Sequence, residues 1–324
     1  MRWLKRLLFI VFILVLVAVG LFFYFLYVPA VEKPSLAGNF ATDKLVVDDN
    51  ERSFSWYTPA NKANKPALIF FLHGSNNSAD IIRMATAYEF DQLAEQHGYI
   101  MVYPQGYKKH WNDCRGSASY AANTDNIDDI AFFKAMINYF VDKASIDREQ
   151  VFVAGISNGG QLAYKLAFES PESVTAIATF AANLPEQSNL DCSQSGQPIS
   201  VAIFNGTEDA INPYNGGLVD LFGDTSRGVV LSTRETVDYW LRLAGITSAA
   251  QEKTLPERDG LAHTSVIEQR WQNNEGIQVR FYSLQGSGHV MPSTITRAPR
   301  ILGEKSGDIS GAEEIIDFFL NQSE

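Results

Sequence analysis

Three glycine-marked stretches of this chain hold the residue types of nucleophilic catalysis. They are Gly155-Ile156-Ser157-Asn158-Gly159, Gly206-Thr207-Glu208-Asp209 and Gly286-Ser287-Gly288-His289. A serine hydroxyl is a weak nucleophile at neutral pH. It needs a base within hydrogen-bond reach, and the base needs an acid that fixes its tautomer and stabilises the imidazolium form. Ser157, His289 and Asp209 fit those roles, in the chain order nucleophile, acid, base. Two rivals stand beside them. Glu208 is adjacent to Asp209, and His263 also follows the acid, although it lies in a polar stretch rather than after a strand-like run.

The elements that would position these residues are legible as apolar runs. Val151 to Ala154 precedes Ser157, so G-x-S-x-G would form a tight strand-to-helix turn that holds the hydroxyl out of the fold. Ala67 to Leu72 runs into His73-Gly74-Ser75, a loop suited to supply one oxyanion amide. The backbone N–H groups of Ser75 and Asn158 are the expected donors, the second at a helix start where the dipole favours negative charge. Further strand-like runs are Tyr99 to Tyr103, Ile199 to Phe204 and Val279 to Leu284. Helical patterns fall at about Tyr88 to His97, Ile130 to Asp142, Gly159 to Glu169 and Thr233 to Ala244. The chain order nucleophile, acid, base is that of an α/β hydrolase, and the alternation predicts a mostly parallel sheet with helices on both faces and the site at the carboxyl ends of the strands. Asn212 to Val229 and Lys253 to His263 read as excursions over that end.

From about Asp43 to Leu320 the chain resembles the polyhydroxybutyrate depolymerase-like esterases, relatives of feruloyl and acetylxylan esterases among the α/β hydrolases. The matching stretches are Glu51 to Phe54; His73-Gly74; Trp111-Asn112; Asp128-Asp129; and Gly155 to Gly160. They continue with Asn205 to Asp209, Pro213 to Gly217, Gly288-His289, and Pro299 to Gly303 running into Ile309 to Phe319. The resemblance implies a serine esterase with Ser157, Asp209 and His289 as its triad. It also implies a substrate pocket involving His73, Gly74, Trp111, Asn112, Tyr214 and Met291; a Trp111 that merely caps a core is the plain alternative. Met291-Pro292 stands where such enzymes often carry a tryptophan two residues after the base, which leaves a softer pocket wall. The substrates implied are short acyl, aryl (feruloyl-type) or hydroxyalkanoate esters, small or polymeric.

The amino terminus sets where this chemistry takes place. Residues 1–6 form a basic tip with Arg2, Lys5 and Arg6. Leu7 to Val28 follows, 22 uncharged residues that are long enough to cross a bilayer. The basic flank predicts a cytoplasmic amino terminus and a catalytic domain in the periplasm or outside the cell. A secreted form after signal-peptide cleavage is the competing reading, against which stand the length of the apolar run and Pro29. Residues 29–42 read as a linker and 43–324 as one catalytic domain.

Without the three basic residues of the tip, 23 Lys and Arg face 37 Asp and Glu, a formal charge of −14. Nucleic acid is therefore not an expected partner. Asp125, Asp128 and Asp129 precede a helical run and read as cap and dipole partners. No His or Cys grouping has metal-ligand spacing, so neither metal nor organic cofactor is called for. Cys114 and Cys192 are candidates for a disulfide in an oxidising compartment. The same machinery would also serve an acyltransferase or a peptidase, and a membrane-tethered binding protein on a retired hydrolase fold is the non-catalytic alternative. Oligomeric state is not encoded in any pattern found.

Overall fold

The computed structural model describes residues 2–258, 260 and 263–322. Helix α1 (Arg2–Phe25) begins with the basic tip rather than after it, and ends three residues before the apolar run does. Pro29 accounts for that end, because it disfavours helical backbone in the residue before it. The helix is exposed along its whole length and apolar enough to cross a membrane.

The linker is also shorter than expected. Strand β1 (Asn39–Val47) starts inside the 29–42 segment and pairs antiparallel with β2 (Asn50–Thr58). Just before it, the Gly38 N–H donates to the Tyr57 hydroxyl at 2.8 Å and to Glu95 at 2.7 Å. The catalytic domain therefore begins near Asn39, not Asp43.

The following elements alternate: β3 (Leu68–Leu72), α2 (Ala79–Ala85), α3 (Glu89–His97), β4 (Ile100–Pro104), the short α4 (Ala121–Thr124), α5 (Asp129–Ala144), β5 (Val151–Ile156), α6 (Asn158–Glu169), β6 (Ala176–Phe180) and β7 (Ser200–Gly206). Then come β8 (Gly217–Leu218) and β9 (Val229–Val230), a two-stranded patch, before α7 (Thr233–Leu243), β10 (Gln251–Thr254), β11 (Ser265–Gln272), β12 (Gln278–Gln285) and α8 (Gly311–Leu320). The large sheet has the order β1-β2-β4-β3-β5-β6-β7-β12-β11-β10. Its six central strands, β4 to β12 in that order, are parallel, and antiparallel pairs close both edges.

Each central strand is buried on both faces, which explains its nearly continuous apolar sequence. Leu68, Phe70 and Leu72 of β3 face α5, α6 and α7 through Phe133, Leu162 and Trp240. Ile69 and Phe71 face the other layer, where Phe90, Leu93, Ile315 and Phe319 of α3 and α8 pack. The chain reverses direction across the sheet at β3, between β4 on one side and β5 on the other. In open sheets of this kind ligand sites form at such a switch point. The loops that carry Ser75 and Ser157 leave β3 and β5 there.

Cys114 and Cys192 are joined, with 5.0 Å between their α-carbons and a sequence separation of 78. On the chain-entropy model a loop of that size is worth about 4 kcal/mol. Reduction, or a Cys114→Ser/Cys192→Ser variant, should accordingly lower the melting temperature by roughly 10 °C. A melting curve that ignores reductant would remove the bond from the stability account.

Candidate active site

Ser157 lies on the one-residue turn between β5 and α6 with φ +55° and ψ −119°. That backbone is costly for a residue with a β-carbon and holds only because its surroundings over-determine it. The Ser157 N–H donates to Phe180 O at 2.8 Å, and its carbonyl accepts from Gln161 N at 2.9 Å. The turn also requires close packing. A β-carbon on Gly155 would lie 2.4 Å from Gly159 C, and one on Gly159 would lie 2.3 Å from Leu72 O. The two glycines of the pentapeptide thus let the first turn of α6 sit on the ends of β3 and β5.

The other two residues meet across neighbouring loops. His289 Nδ1 and Asp209 Oδ2 are 2.7 Å apart, both side chains buried. The second Asp209 oxygen accepts from the N–H groups of Ile211 and Asn212, each at 2.8 Å, so the carboxylate is fixed in orientation. Glu208 is exposed, and so is His263, which separates both from this arrangement. The His289 N–H donates to Leu302 O at 2.7 Å and the Gly288 N–H to Glu304 O at 2.8 Å, pinning the loop. With Nδ1 engaged by Asp209, Nε2 is the free ring nitrogen.

Ser157 and His289 line the same cavity of about 460 Å³. Its walls are mostly apolar, with Phe71, Ile82, Ile156, Ile211, Phe222 and Met291 among them. Gly74 and Ser75 also line it. The Ser75 hydroxyl is buried without a partner among the described residues, and no described carbonyl accepts from the Ser75 N–H. The Asn158 N–H heads α6 and so has no acceptor within the helix. Leu221 and Phe222, from the 212–229 excursion, contribute to the mouth. Among the described residues of the 253–263 excursion, which starts within edge strand β10, none lines the cavity; residues 259, 261 and 262 lie outside the described residues.

Four residues expected at the pocket are elsewhere. Trp111 is fully buried, and its indole N–H donates to His73 O at 2.8 Å. Asn112 is buried, with its side chain on Ile127 O at 2.9 Å and its N–H on Asp129 at 2.7 Å. The Tyr214 hydroxyl pairs with Ser283 at 2.7 Å. Polar groups committed to protein partners in this way stay behind the wall. His73 is likewise buried, with Nδ1 donating to Gly74 O at 2.7 Å and Nε2 accepting from Gly106 N at 3.0 Å. Burial pushes its imidazole down to about 4, against the Gly74 hydrogen bond, which pushes it up.

Behind the turn stands a buried cluster that no sequence pattern marks. The Asn158 side chain accepts from Trp111 N at 2.8 Å and donates to Asp113 at 2.6 Å. Asp113 also takes the Arg115 guanidinium and the Tyr120 hydroxyl, each at 2.5 Å. Burial pushes the Asp113 carboxyl up, but the Arg115 charge and the hydrogen bonds of Arg115 and Tyr120 outweigh it and hold it below the usual range. Only a D-x-R pair in a loop could have hinted at this, and such pairs are common on surfaces. The acidic triplet is accounted for by capping and pairing. Asp128 caps α5 through Ala131 N, Asp129 pairs with buried Arg52 at 2.6 Å, and Asp125 pairs with Lys108 at 3.1 Å.

Comparison with known proteins places this geometry. The family model described as "Esterase PHB depolymerase" matches residues 52–194, from β2 through the Ser157 turn to the disulfide. Over that stretch the chain is similar to the polyhydroxybutyrate depolymerase-like esterases. NocK of Nocardia uniformis subsp. tsuyamanensis, designated an esterase, is 24% identical over 91% of this chain and 86% of its own length. Feruloyl esterase B of Talaromyces funiculosus is 24% identical over 78% of this chain and 72% of its own. Among solved structures, an acetyl xylan esterase from Aspergillus awamori superposes with a TM-score of 0.53 at 17% identity, over 86% of this chain and 98% of that one. That likeness concerns the fold. This relative of the esterases keeps the α/β hydrolase architecture with a mostly parallel sheet.

Two measurements probe the supports of the site. Unfolded His73 takes up a proton below about 6.5 and folded His73 only near 4, so stability is full above that window and falls as pH drops through it. The parent should lose about 2 to 3 kcal/mol from this residue between pH 7 and 4.5 in urea titrations, and a His73→Gln variant should show a correspondingly shallower decline. An Asp113→Ala variant leaves Arg115 buried without its counter-charge and should cost about 3–5 kcal/mol. An unchanged urea midpoint would show that the cluster does not support the fold.

Proposed function

We propose that this carboxylic ester hydrolase works by two-step acyl transfer through Ser157. The observation that carries the reading is the 2.7 Å contact of His289 Nδ1 with Asp209, on a cavity that His289 shares with the strained Ser157. His289 Nε2 takes the Ser157 proton as Oγ attacks the ester carbonyl. The N–H groups of Ser75 and Asn158 receive the oxyanion, and the protonated His289 returns its proton to the leaving alcohol as the carbonyl–oxygen bond breaks. Water, deprotonated by His289, then attacks the acyl-enzyme and releases the acid and Ser157. Asp209 holds the imidazole tautomer throughout.

The apolar cavity supports esters with an apolar acyl or aryl group: short acyl, feruloyl-type or hydroxyalkanoate esters. Feruloyl and acetylxylan esterases among the relatives and neighbours agree with that range. We further take α1 as a retained anchor, with residues 1–6 in the cytoplasm and the domain from Asn39 onward in the periplasm or outside the cell. Its apolar run, Leu7 to Val28, is longer than the core of a cleaved signal peptide, which supports this reading.

Hydrolysis of p-nitrophenyl esters from acetate upward and of methyl ferulate is the direct test. Ser157→Ala should lower kcat by about 10⁶-fold and Asp209→Asn by about 10⁴-fold. Full turnover in the Ser157→Ala variant would dismiss the mechanism. Full turnover in the Asp209→Asn variant would return Glu208 to consideration.

A further inference from the structure

The segment 293–305 has two sides. On one, Thr296, Ala298, Pro299 and Leu302 wall the cavity that holds Ser157 and His289. On the other, the same segment faces the end of α1 across a second cavity of about 700 Å³, lined by Phe23, Tyr24, Tyr27 and Pro29. The Arg300 guanidinium lies over the Tyr24 ring, 4.6 Å from its centre. The wall of the ester cavity therefore stands against the carboxyl end of α1.

The surface around that wall is apolar as well. Ile295 is 55% exposed and Ile301 44%, and both stand on the segment itself. Ile81 and Phe222, 47% and 63% exposed, reach from the outside into the cavity lining. Single exposed apolar residues are ordinary, but a group of them ringing an apolar cavity marks a contact surface. Charge points the same way. The exported domain is strongly acidic, yet this segment carries Arg297, Arg300 and Lys305 against the single acid Glu304. Tyrosines at a helix end and arginines beside them are the residues that settle at the headgroup level of a bilayer.

We infer that the cavity opens onto the bilayer that α1 spans, and that beyond the short acyl, aryl and hydroxyalkanoate esters named above it takes a long-chain acyl ester dissolved in that bilayer, entering past the 293–305 segment. This rests on the ester-hydrolase reading and on retention of α1. The acyl chain then passes from lipid to the apolar wall of Phe71, Ile82 and Met291 without crossing water. The cost of withdrawing each methylene from the bilayer is offset by burial in the cavity, which a water-soluble short ester does not exploit. The tether holds the mouth at the interface, so substrate is met by lateral diffusion within one membrane.

The test uses the full chain reconstituted in phosphatidylcholine vesicles that contain dioleoylglycerol, with oleate release as the readout and p-nitrophenyl butyrate as the soluble reference ester. Oleate should be released at least tenfold faster when dioleoylglycerol shares the vesicle with the protein than when it sits in separate vesicles. An Ile295→Ser/Ile301→Ser variant should lose fivefold or more on dioleoylglycerol while its butyrate turnover stays within twofold. Equal release from shared and separate vesicles, or no release beside normal butyrate turnover, overturns the membrane-entry inference alone. Absence of turnover on both esters by the folded parent overturns the ester-hydrolase reading and this inference with it. The shared-against-separate comparison needs no variant, so it decides between these outcomes even where the double substitution misfolds.

Discussion

The distance at which α6 starts from the sheet governs the floor of the cavity. Only a glycine at 159 lets the helix approach Leu72 O as it does, and that approach forces Ser157 into its positive-φ turn. Once the turn is set, the Asn158 N–H points away from any helical acceptor and its side chain is free to bind behind the turn. The strain at Ser157 is held by ordinary backbone hydrogen bonds to β6 and α6. The hydroxyl of Ser157, the proposed nucleophile, is positioned by packing that involves none of the other proposed catalytic groups.

A second unit carries His289, the proposed base. Strands β7 and β12 are parallel neighbours, so the loops after them, one carrying Asp209 and the other His289, meet at the same sheet edge. The His289 loop is in turn hydrogen-bonded to residues 302 and 304. His289 and the cavity wall are thus one piece, and a displacement of the 293–305 segment would be felt at the imidazole as well as in the cavity.

Local patterns were readable where the chemistry is local. G-x-S-x-G, the strand before it and the glycine loops at 206 and 286 each imply a turn at a strand end, and the central strands declare themselves by being apolar on both faces. The antiparallel edges were not readable. Strand β1 alternates half-buried and exposed positions, and β10 is exposed throughout, so neither carries an apolar run. Strand β6 is only five residues long, two of them alanine, too short a run to stand out by pattern, and it is paired on both sides by β5 and β7. Trp111 and Asn112 mark the right loop but support the site from behind. Nothing in their types distinguishes lining a pocket from anchoring one, since both uses need an aromatic body and a polar handle. Asp113, Arg115 and Tyr120 gain meaning only when folding brings Asn158 to them.

Cys114 lies between Asp113 and Arg115, so the disulfide and the buried ion pair share one loop. Cys114 O accepts from Asp191 N at 3.1 Å, and Gly116 N donates to Asn189 O at 2.8 Å, extending the tie on both sides. Thiols of a chain still in the cytosol stay reduced, whereas those of an exported chain can be oxidised. On the proposed export of this domain, the loop that backs the Asn158 amide is cross-linked only after transit. Oxidation is then a maturation step for the proposed centre, completed in the compartment to which the chain is exported.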